Sequence, residues 1–145
     1  MADDRPVLNQ INLVVRDMDA MIEFYRKLGA EVVPTAPPWD RHHRTVSMPD
    51  GLDFDLDSRD FAAQWNSGWP PGQTGPVVGF RVASRDAVDR IYEDLTDAGY
   101  VGQQPPYDAF WGARYAVIAD PEGNSVGVMS PVDPARRTPQ RPPTE

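Results

Sequence analysis

Apolar residues along this chain switch between the two spacings that mark strands and helices. Residues 11–15 form a short, β-branched run, which predicts a strand. From Asp17 the apolar positions follow steps of three and four residues, which predicts a helix. Asp17 can cap that helix by accepting a backbone N–H, and Gly29 can end it in the left-handed conformation. The helical apolar positions are Met18, Met21, Ile22, Tyr25 and Leu28.

The same pattern returns in the second half of the chain. Residues 78–82 predict another strand, and Ser84 can cap another helix, which Gly99 closes. Five of the sixteen residues from Leu13 to Leu28 are identical to the residue 67 positions later, among them Tyr25 and Tyr92. A second group matches at an offset of 72: Trp39 with Trp111, Pro49 with Pro121, and Gly51 with Gly123. The sequence therefore predicts an internal duplication of a βαβββ unit.

The duplication divides the chain into modules of about residues 7–57 and 75–130. Between them, residues 58–76 form a Pro/Gly-rich linker that carries three aromatic residues, Phe61, Trp65 and Trp69. Residues 132–145 are rich in proline and arginine and hold little that could be buried, so we expect a disordered tail.

Charge and composition narrow the classes of partner. Fourteen basic and 22 acidic residues give a net charge of −8, which argues against nucleic acids and anionic membranes and permits a cationic ligand. The chain has no cysteine, which excludes disulfides, thiolate zinc sites and cysteine nucleophiles. No apolar run approaches the ~20 residues that span a bilayer, and residues 1–6 carry no apolar signal segment. We expect a soluble, cytoplasmic protein.

Three sequence motifs resemble a known superfamily. Residues 11–17 (INLVVRD) lead into residues 23–29 (EFYRKLG), and the second module closes with residues 119–131 (ADPEGNSVGVMSP). These motifs resemble the vicinal oxygen chelate superfamily, which includes glyoxalases, extradiol dioxygenases and fosfomycin- and bleomycin-resistance proteins. The resemblance covers about residues 7–131. It implies an α+β fold in which two tandem βαβββ modules form a curved mixed β-sheet with a cleft, completed in a homodimer.

Enzymes of this superfamily hold a divalent metal with side chains from four strand positions, two in each module. Here those positions fall on Gln10 and Asp55 in the first module and on Val77 and Gly127 in the second. Valine has no lone pair to donate and glycine has no side chain, so these positions cannot assemble a metal site. Because of these residues we expect neither a metal nor another cofactor, and we assign no catalytic residue.

Alternation along the strands indicates which side chains face the cleft. If Leu52, Phe54 and Leu56 pack under the helices, then Asp53, Asp55 and Asp57 share the opposite face. The same face receives three further sets: Gln10, Asn12 and Val14; Val77, Gly79 and Arg81; and Ser125, Gly127 and Met129. The carboxyl groups either form a polar pocket floor, with Arg81 as a candidate partner, or are hydrated in a half-open cup. Of the adjacent His42 and His43, at most one can face the cleft, and His42 is our candidate ligand contact. Alternatively, both are surface or partly buried residues.

Seven aromatic residues fall outside the predicted helices: Trp39, Trp65, Trp69, Tyr107, Phe110, Trp111 and Tyr115. Aromatic side chains in loops often cover a cleft or an interface. We predict that most of them form the walls of a ligand site, while a dimer contact or the packing of long loops are the alternatives. The predicted ligand-binding residues are Gln10, Trp39, His42, Asp53, Asp55, Trp65, Trp69, Arg81, Phe110, Trp111 and Tyr115.

Within the resemblance, the absence of metal ligands favours a metal-free binding protein similar to bleomycin-resistance proteins. Such a protein would sequester an aromatic or cationic small molecule, such as an antibiotic, without changing it covalently. One alternative is a metal-dependent lyase, isomerase or dioxygenase, or an enzyme using acid–base chemistry through Asp55 or His42. Another is a non-catalytic module whose aromatic loops bind a second protein.

Overall fold

The computed structural model describes residues 4–143 of the 145-residue chain. Over these residues the chain forms eight strands and three α-helices. In chain order they are β1 (Val7–Val15), α1 (Met18–Leu28), β2 (Glu31–Val32), β3 (His43–Ser47), β4 (Asp53–Ser58), α2 (Arg59–Trp65), β5 (Gly75–Arg81), α3 (Arg85–Asp97), β6 (Gly102–Asp108), β7 (Arg114–Ala119) and β8 (Ser125–Met129). Single 3-10 turns form at Trp39–Arg41 and Pro134–Arg136. No helix within residues 4–143 is long and apolar enough to cross a membrane.

The strands form one curved, mixed sheet in the order β2-β3-β4-β1-β5-β8-β7-β6. At its centre β1 pairs antiparallel with β5, and Gln10 lies opposite Gly79 while Asn12 lies opposite Val77. An offset of 67 converts the first of these pairs into the second, so the pairing has the internal two-fold symmetry of a duplication. β1 pairs parallel with β4, and β5 pairs parallel with β8. The predicted α+β fold with two βαβββ modules is confirmed.

The long helices begin at the caps that the sequence indicates. The side chain of Asp17 accepts a hydrogen bond from the Ala20 backbone N–H at 3.0 Å, and Ser84 does the same for Ala87 at 3.1 Å. Gly29 ends α1 with a φ of 105°, which is a conformation that glycine adopts without steric cost. Local side chains and one glycine therefore set the ends of these helices.

The two faces of the sheet are covered differently. On one face, α1 packs over the first module through Ile22, against the buried Val46 and Leu56. α3 packs over the second module through Val88 on the same side. The opposite face carries α2 and the aromatic loops, whose buried residues join Val14 and Val77. This second face is the one that encloses a cavity.

The predicted linker contains a helix that the sequence analysis missed. Residues Arg59–Trp65 form α2, which begins at Ser58, whose side chain accepts from the Phe61 backbone N–H at 3.1 Å. Trp65 ends this helix, and Trp69 follows it with its indole donating to the Gln73 carbonyl oxygen at 3.0 Å. Both tryptophans are buried. The prediction that Trp65 lies outside a helix was therefore wrong, whereas Trp69 does lie in a loop, one that packs it into the core.

The expected disordered tail also has structure. The Asp133 N–H donates to the Gly112 carbonyl oxygen, and the Thr138 N–H donates to the Phe110 carbonyl oxygen, both at 2.9 Å. Gln140 donates to Gln64 on α2 at 3.1 Å. The segment thus crosses the β6–β7 loop and is fixed to it mainly by backbone hydrogen bonds, which composition cannot reveal. Residues 144 and 145 of the predicted tail lie outside the described residues.

The loss of stability on substitution by alanine distinguishes a buried aromatic residue from an exposed one. We expect Trp69→Ala to lower the free energy of unfolding by about 3–5 kcal/mol, because the change leaves a large cavity in the core. The matched control is Phe24→Ala, since the Phe24 side chain is 59% exposed. This control should cost less than about 1 kcal/mol. Urea unfolding curves of both variants measure the difference, and equal losses would contradict the assignment of Trp69 to the core.

Candidate functional site

A cavity of about 310 Å³ opens on the sheet face that carries α2. Its polar side chains come from β1, β3 and β4 of the first module: Gln10, Asn12, His43, Asp53, Asp55 and Asp57. Its apolar side chains come mainly from α2, the aromatic loops and the second module: Trp39, Phe61, Trp65, Phe110, Trp111, Tyr115, Met129 and Val132. A larger surface depression of about 480 Å³ lies beside α1, but charged groups such as Glu23 and Lys27 line it and pair with each other. The cavity on the sheet face is less open than this depression and combines apolar walls with a few polar groups, so it is the better candidate for a ligand site.

The polar half of the cavity is a hydrogen-bonded row of side chains. Asp55 accepts from Gln10 Nε2 at 3.3 Å and from Thr45 Oγ1 at 3.0 Å. Asp57 accepts from Asn12 Nδ2 at 2.9 Å, and its other oxygen lies 2.6 Å from His43 Nδ1. The strand register produces this row, because Asp55 lies directly between Thr45 and Asn12 on neighbouring strands. Side chains from β1 and β3, the two strands beside β4, therefore hold the two buried carboxyl groups in place.

Burial and charge alter two pKa values in this row. Burial disfavours the charged form of His43, but the hydrogen bond to Asp57 and the charges of Asp57 and Asp55 outweigh burial and raise the pKa of His43 to about 8. Burial raises the pKa of Asp55 to about 6, against the opposing effect of the His43 charge. At pH 7 the imidazole is therefore mostly protonated and Asp55 mostly ionised. Three carboxyl groups then face one imidazolium, and the cavity carries an excess of negative charge.

The apolar half is a connected set of aromatic rings. The rings of Trp39 and Phe110 are stacked with centroids 6.2 Å apart, and Phe61 meets Trp39 edge-on at 5.0 Å. Trp111 contacts the ring of Tyr115 at 5.4 Å and donates its indole N–H to Met129 Sδ at 3.1 Å. Rings held at such angles support one another and present flat apolar surfaces to a ligand.

The residues at the four metal positions of the family do not fit a metal ion. Val77 is buried in the core beneath the cavity. At Gly127, a Cβ atom would lie only 2.7 Å from Tyr115 Oη, so the phenol fills the space that a ligand side chain would need. Gln10 and Asp55 remain, but they hydrogen-bond to each other. Within residues 4–143, no three His, Cys, Asp or Glu side chains are grouped so that they could hold a metal ion.

The structure brings most of the predicted site residues to the cavity. Eight of them line it: Gln10, Trp39, Asp53, Asp55, Trp65, Phe110, Trp111 and Tyr115. That they bind a ligand remains a prediction. Asn12, Asp57 and Met129, which strand alternation assigned to the same face, also line the cavity. The polar floor is thus the interpretation that the geometry favours.

Three predicted site residues do not line the cavity. His42 is buried and its Nδ1 lies 2.8 Å from Ser58 Oγ, so the histidine that faces the cavity is its neighbour His43. Trp69 packs in the core. Arg81 is exposed at the end of β5, where it cannot pair with the carboxyl groups of the floor. The choice of His42 was wrong because the register of β3, which decides between two adjacent histidines, depends on its pairing with β4.

The sequence analysis also missed two wall residues. Phe61 was assigned to the linker, although its spacing from Trp65 is one helical turn and could have indicated a shared face. Val132 lies in the segment that was expected to be disordered. Only the backbone hydrogen bonds of that segment bring Val132 to the cavity, and no sequence signal predicts them.

Comparison with known proteins agrees with this fold. The sequence profile of the Glyoxalase/Bleomycin resistance protein/Dioxygenase superfamily matches residues 7–128. The chain belongs to this superfamily. The resemblance drawn from the sequence motifs is therefore confirmed for the glyoxalase-like family and its fold. A comparison with proteins of curated function finds no significant match.

Several solved structures have a similar backbone. A glyoxalase/bleomycin resistance protein/dioxygenase superfamily member from Vibrio splendidus 12B01 matches with a TM-score of 0.59 at 14% identity, over 88% of this chain and 100% of that one. Methylmalonyl-CoA epimerase from Mycobacterium tuberculosis matches with a TM-score of 0.55 at 20% identity, over 87% of this chain and 88% of that one. An NAD-dependent benzaldehyde dehydrogenase from Legionella pneumophila matches with a TM-score of 0.59 at 21% identity, over 84% of this chain and 97% of that one. At these identities the likeness is one of fold.

The titration of His43 tests the electrostatics of the cavity. We expect an NMR titration midpoint near pH 8 in the wild type. In Asp57→Asn the midpoint should fall toward or below the ordinary 6.5, because burial then acts without its main opposing charge. Asp53→Asn is the matched control and should leave the midpoint near 8, since Asp53 is not among the groups that shift it.

The same shift has a consequence for stability. A folded pKa above the unfolded one means that the His43 pair stabilises the fold below pH 6.5, and that this contribution is lost as the pH rises through 8. A wild-type midpoint at or below 6.5, or an unchanged midpoint in Asp57→Asn, would contradict the described ion pair.

Proposed function

We propose that this protein is a metal-free binding protein that sequesters a small aromatic compound carrying a positive charge, such as a cationic antibiotic. The observation that carries the proposal is the division of one cavity into an acidic half and an aromatic half. An aromatic cation matches both halves, because its flat body can stack on the rings while its charge offsets the carboxyl groups.

The acidic half supports a cationic ligand. Asp55 and Asp57 already accept hydrogen bonds from protein donors, whereas Asp53 lies at the exposed edge of the cavity and has no partner among residues 4–143. A positively charged group placed beside Asp53 would also be attracted by the negative charge behind it. The aromatic half adds to this attraction, because a cation near a tryptophan face is stabilised by about 0.5–2 kcal/mol.

The same residues disfavour the metal-dependent alternative. Val77 and the Tyr115 ring occupy the second-module half of the family site, and neither offers a metal ligand of the usual type. The lyase, isomerase and dioxygenase alternatives that rely on such a metal therefore find no support in the cavity. Both modules of one chain line the cavity, so the site does not require the homodimer that the resemblance implies. The homodimer remains a proposal for the assembly.

One observation favours a second candidate function, an enzyme that transfers protons. His43 lies 2.6 Å from Asp57 and faces the cavity, which is an arrangement that can act as an acid–base pair. The negative charge of the cavity disfavours this alternative. Removing a proton from a substrate would form an anion, and the three nearby carboxyl groups would raise the energy of that anion. We therefore rank binding above proton transfer. We expect the bound compound to be recovered unchanged after long incubation, and its conversion to a product would reverse this order.

A titration with a simple aromatic cation tests the proposed function. Naphthylethylammonium should quench tryptophan fluorescence saturably. We expect Asp53→Asn to weaken binding about three- to tenfold, because it removes a charge at the cavity edge, and Trp111→Ala to weaken it by a similar factor through the lost stacking face. Asp53→Asn should keep the wild-type melting temperature within a few degrees, whereas Trp111→Ala should lower it without unfolding the protein, because the ring also packs against Tyr115.

Two controls make this titration specific. Asp94→Asn changes the net charge by the same amount at an exposed position on α3 and should leave the affinity unchanged. Naphthylethanol, which lacks the charge, should bind more weakly than naphthylethylammonium. Equal binding of the two compounds, or an equal effect of Asp94→Asn, would refute the cation preference.

A further inference from the structure

The hydroxyl group of Tyr115 has no hydrogen-bond partner among residues 4–143, although most of the tyrosine side chain is buried. The Tyr115 side chain is only 6% exposed and lines the cavity. Burial raises the pKa of this phenol well above its ordinary value, so the hydroxyl keeps its proton and can donate it. A hydroxyl that opens on a cavity and has no protein partner is free to donate its hydrogen bond to a bound molecule.

A second tyrosine in the same ring cluster shows the contrast. The Tyr107 hydroxyl donates to the Trp65 carbonyl oxygen at 3.2 Å, while the rings of Tyr107 and Tyr115 meet edge-on at 6.3 Å. One hydroxyl is therefore used inside the protein, and the other is left facing the cavity. The indole N–H of Trp65 also has no partner within residues 4–143, but that nitrogen is buried. The Tyr115 hydroxyl is the unused donor that a bound molecule can reach.

Gly127 explains why the phenol reaches this position. A Cβ atom there would lie 2.7 Å from Tyr115 Oη and 3.0 Å from Tyr115 Cε1, so any other residue would displace the ring. Gly127 lies directly opposite Gly79 on β5, and Gly79 lies opposite Gln10 on β1. The missing side chain therefore opens space for a hydroxyl near the middle of the sheet, below the aromatic rings.

We propose that the Tyr115 hydroxyl donates a hydrogen bond to an oxygen atom of the ligand. The ligand is then an aromatic cation with an ether or carbonyl oxygen on its aromatic part. This inference rests on the proposed function and adds to it a second polar contact. The ring of Tyr115 belongs to the aromatic half, with its centroid 5.4 Å from that of Trp111 and 6.2 Å from that of Trp65. Its hydroxyl reaches the sheet at Gly127 and is near enough to Asp57 for that charge to help raise the phenol pKa. The positive charge lies farther out, beside Asp53 at the exposed cavity edge, and the two contacts fix the direction of the ligand.

Pairs of probes that differ in one atom test this inference. Each pair consists of a methoxy-substituted naphthylethylammonium and its ethyl-substituted analogue, in which a methylene group replaces the oxygen. A set of ring-position isomers covers the possible places of the oxygen, and calorimetry gives the affinity of each compound. For at least one pair we expect the wild type to prefer the methoxy compound, and Tyr115→Phe to lower that preference about three- to tenfold.

The controls separate a ligand contact from a structural effect. Tyr115→Phe removes no hydrogen bond within the described residues, so its melting temperature and its affinity for the ethyl compounds should match the wild type. Tyr107→Phe removes a hydroxyl that bonds inside the protein and should leave the methoxy preference unchanged. A methoxy preference that survives Tyr115→Phe, or no preference in any pair, would overturn the inference and leave the proposed function intact. Failure of all the probes to bind would instead refute the proposed function, and the inference with it.

Discussion

Strands β1 and β5 pair antiparallel at the centre of the sheet, and the site depends on this pairing because it joins the two modules edge to edge. Gln10 on β1 lies opposite Gly79 on β5, and the two approach closely. If Gly79 carried a Cβ atom, that atom would lie 2.9 Å from Gln10 Cβ. The register that results puts Asn12 opposite Val77. The inward-facing residues of both modules thereby meet on one face, and α2 and the aromatic loops close over them.

The two modules share a backbone plan but differ in the chemistry of their inner faces. The first module contributes donors and carboxyl groups, held by hydrogen bonds such as those of Asp57 to Asn12 and His43. The second contributes Val77, Met129 and the ring of Tyr115, with glycine where a larger side chain would collide with that ring. A two-fold symmetric metal site needs equivalent ligands from both halves. With Val77 and Gly127 in the second module, the two halves do not offer equivalent ligands, and the cavity has one acidic and one aromatic side.

The parts of this structure that depend on local rules could be predicted from the sequence. Caps at Asp17 and Ser84, apolar periodicity and the repeat predicted both long helices and the two modules, and alternation placed Asp53, Asp55 and Asp57 on the cavity face. The errors arose where tertiary contacts decide. The pairing of β3 with β4 selects His43 over His42, and the loop after α2 packs Trp69 into the core instead of the cavity wall. Backbone hydrogen bonds fix the C-terminal segment, including Val132, over the β6–β7 loop. Such bonds do not depend on residue type, so the sequence gives no sign of them.

Binding without a metal is the central claim, and calorimetry on chelator-treated protein tests it most directly. The protein is freed of divalent ions with EDTA, its metal content is checked by mass spectrometry, and naphthylethylammonium is titrated before and after addition of Ni²⁺, Zn²⁺, Mn²⁺ or Fe²⁺. The division of the cavity predicts one bound cation per chain, with the same affinity in every case. Binding that appears only after one equivalent of metal is restored would show that Gln10 and Asp55 take part in a metal site, and would contradict this account.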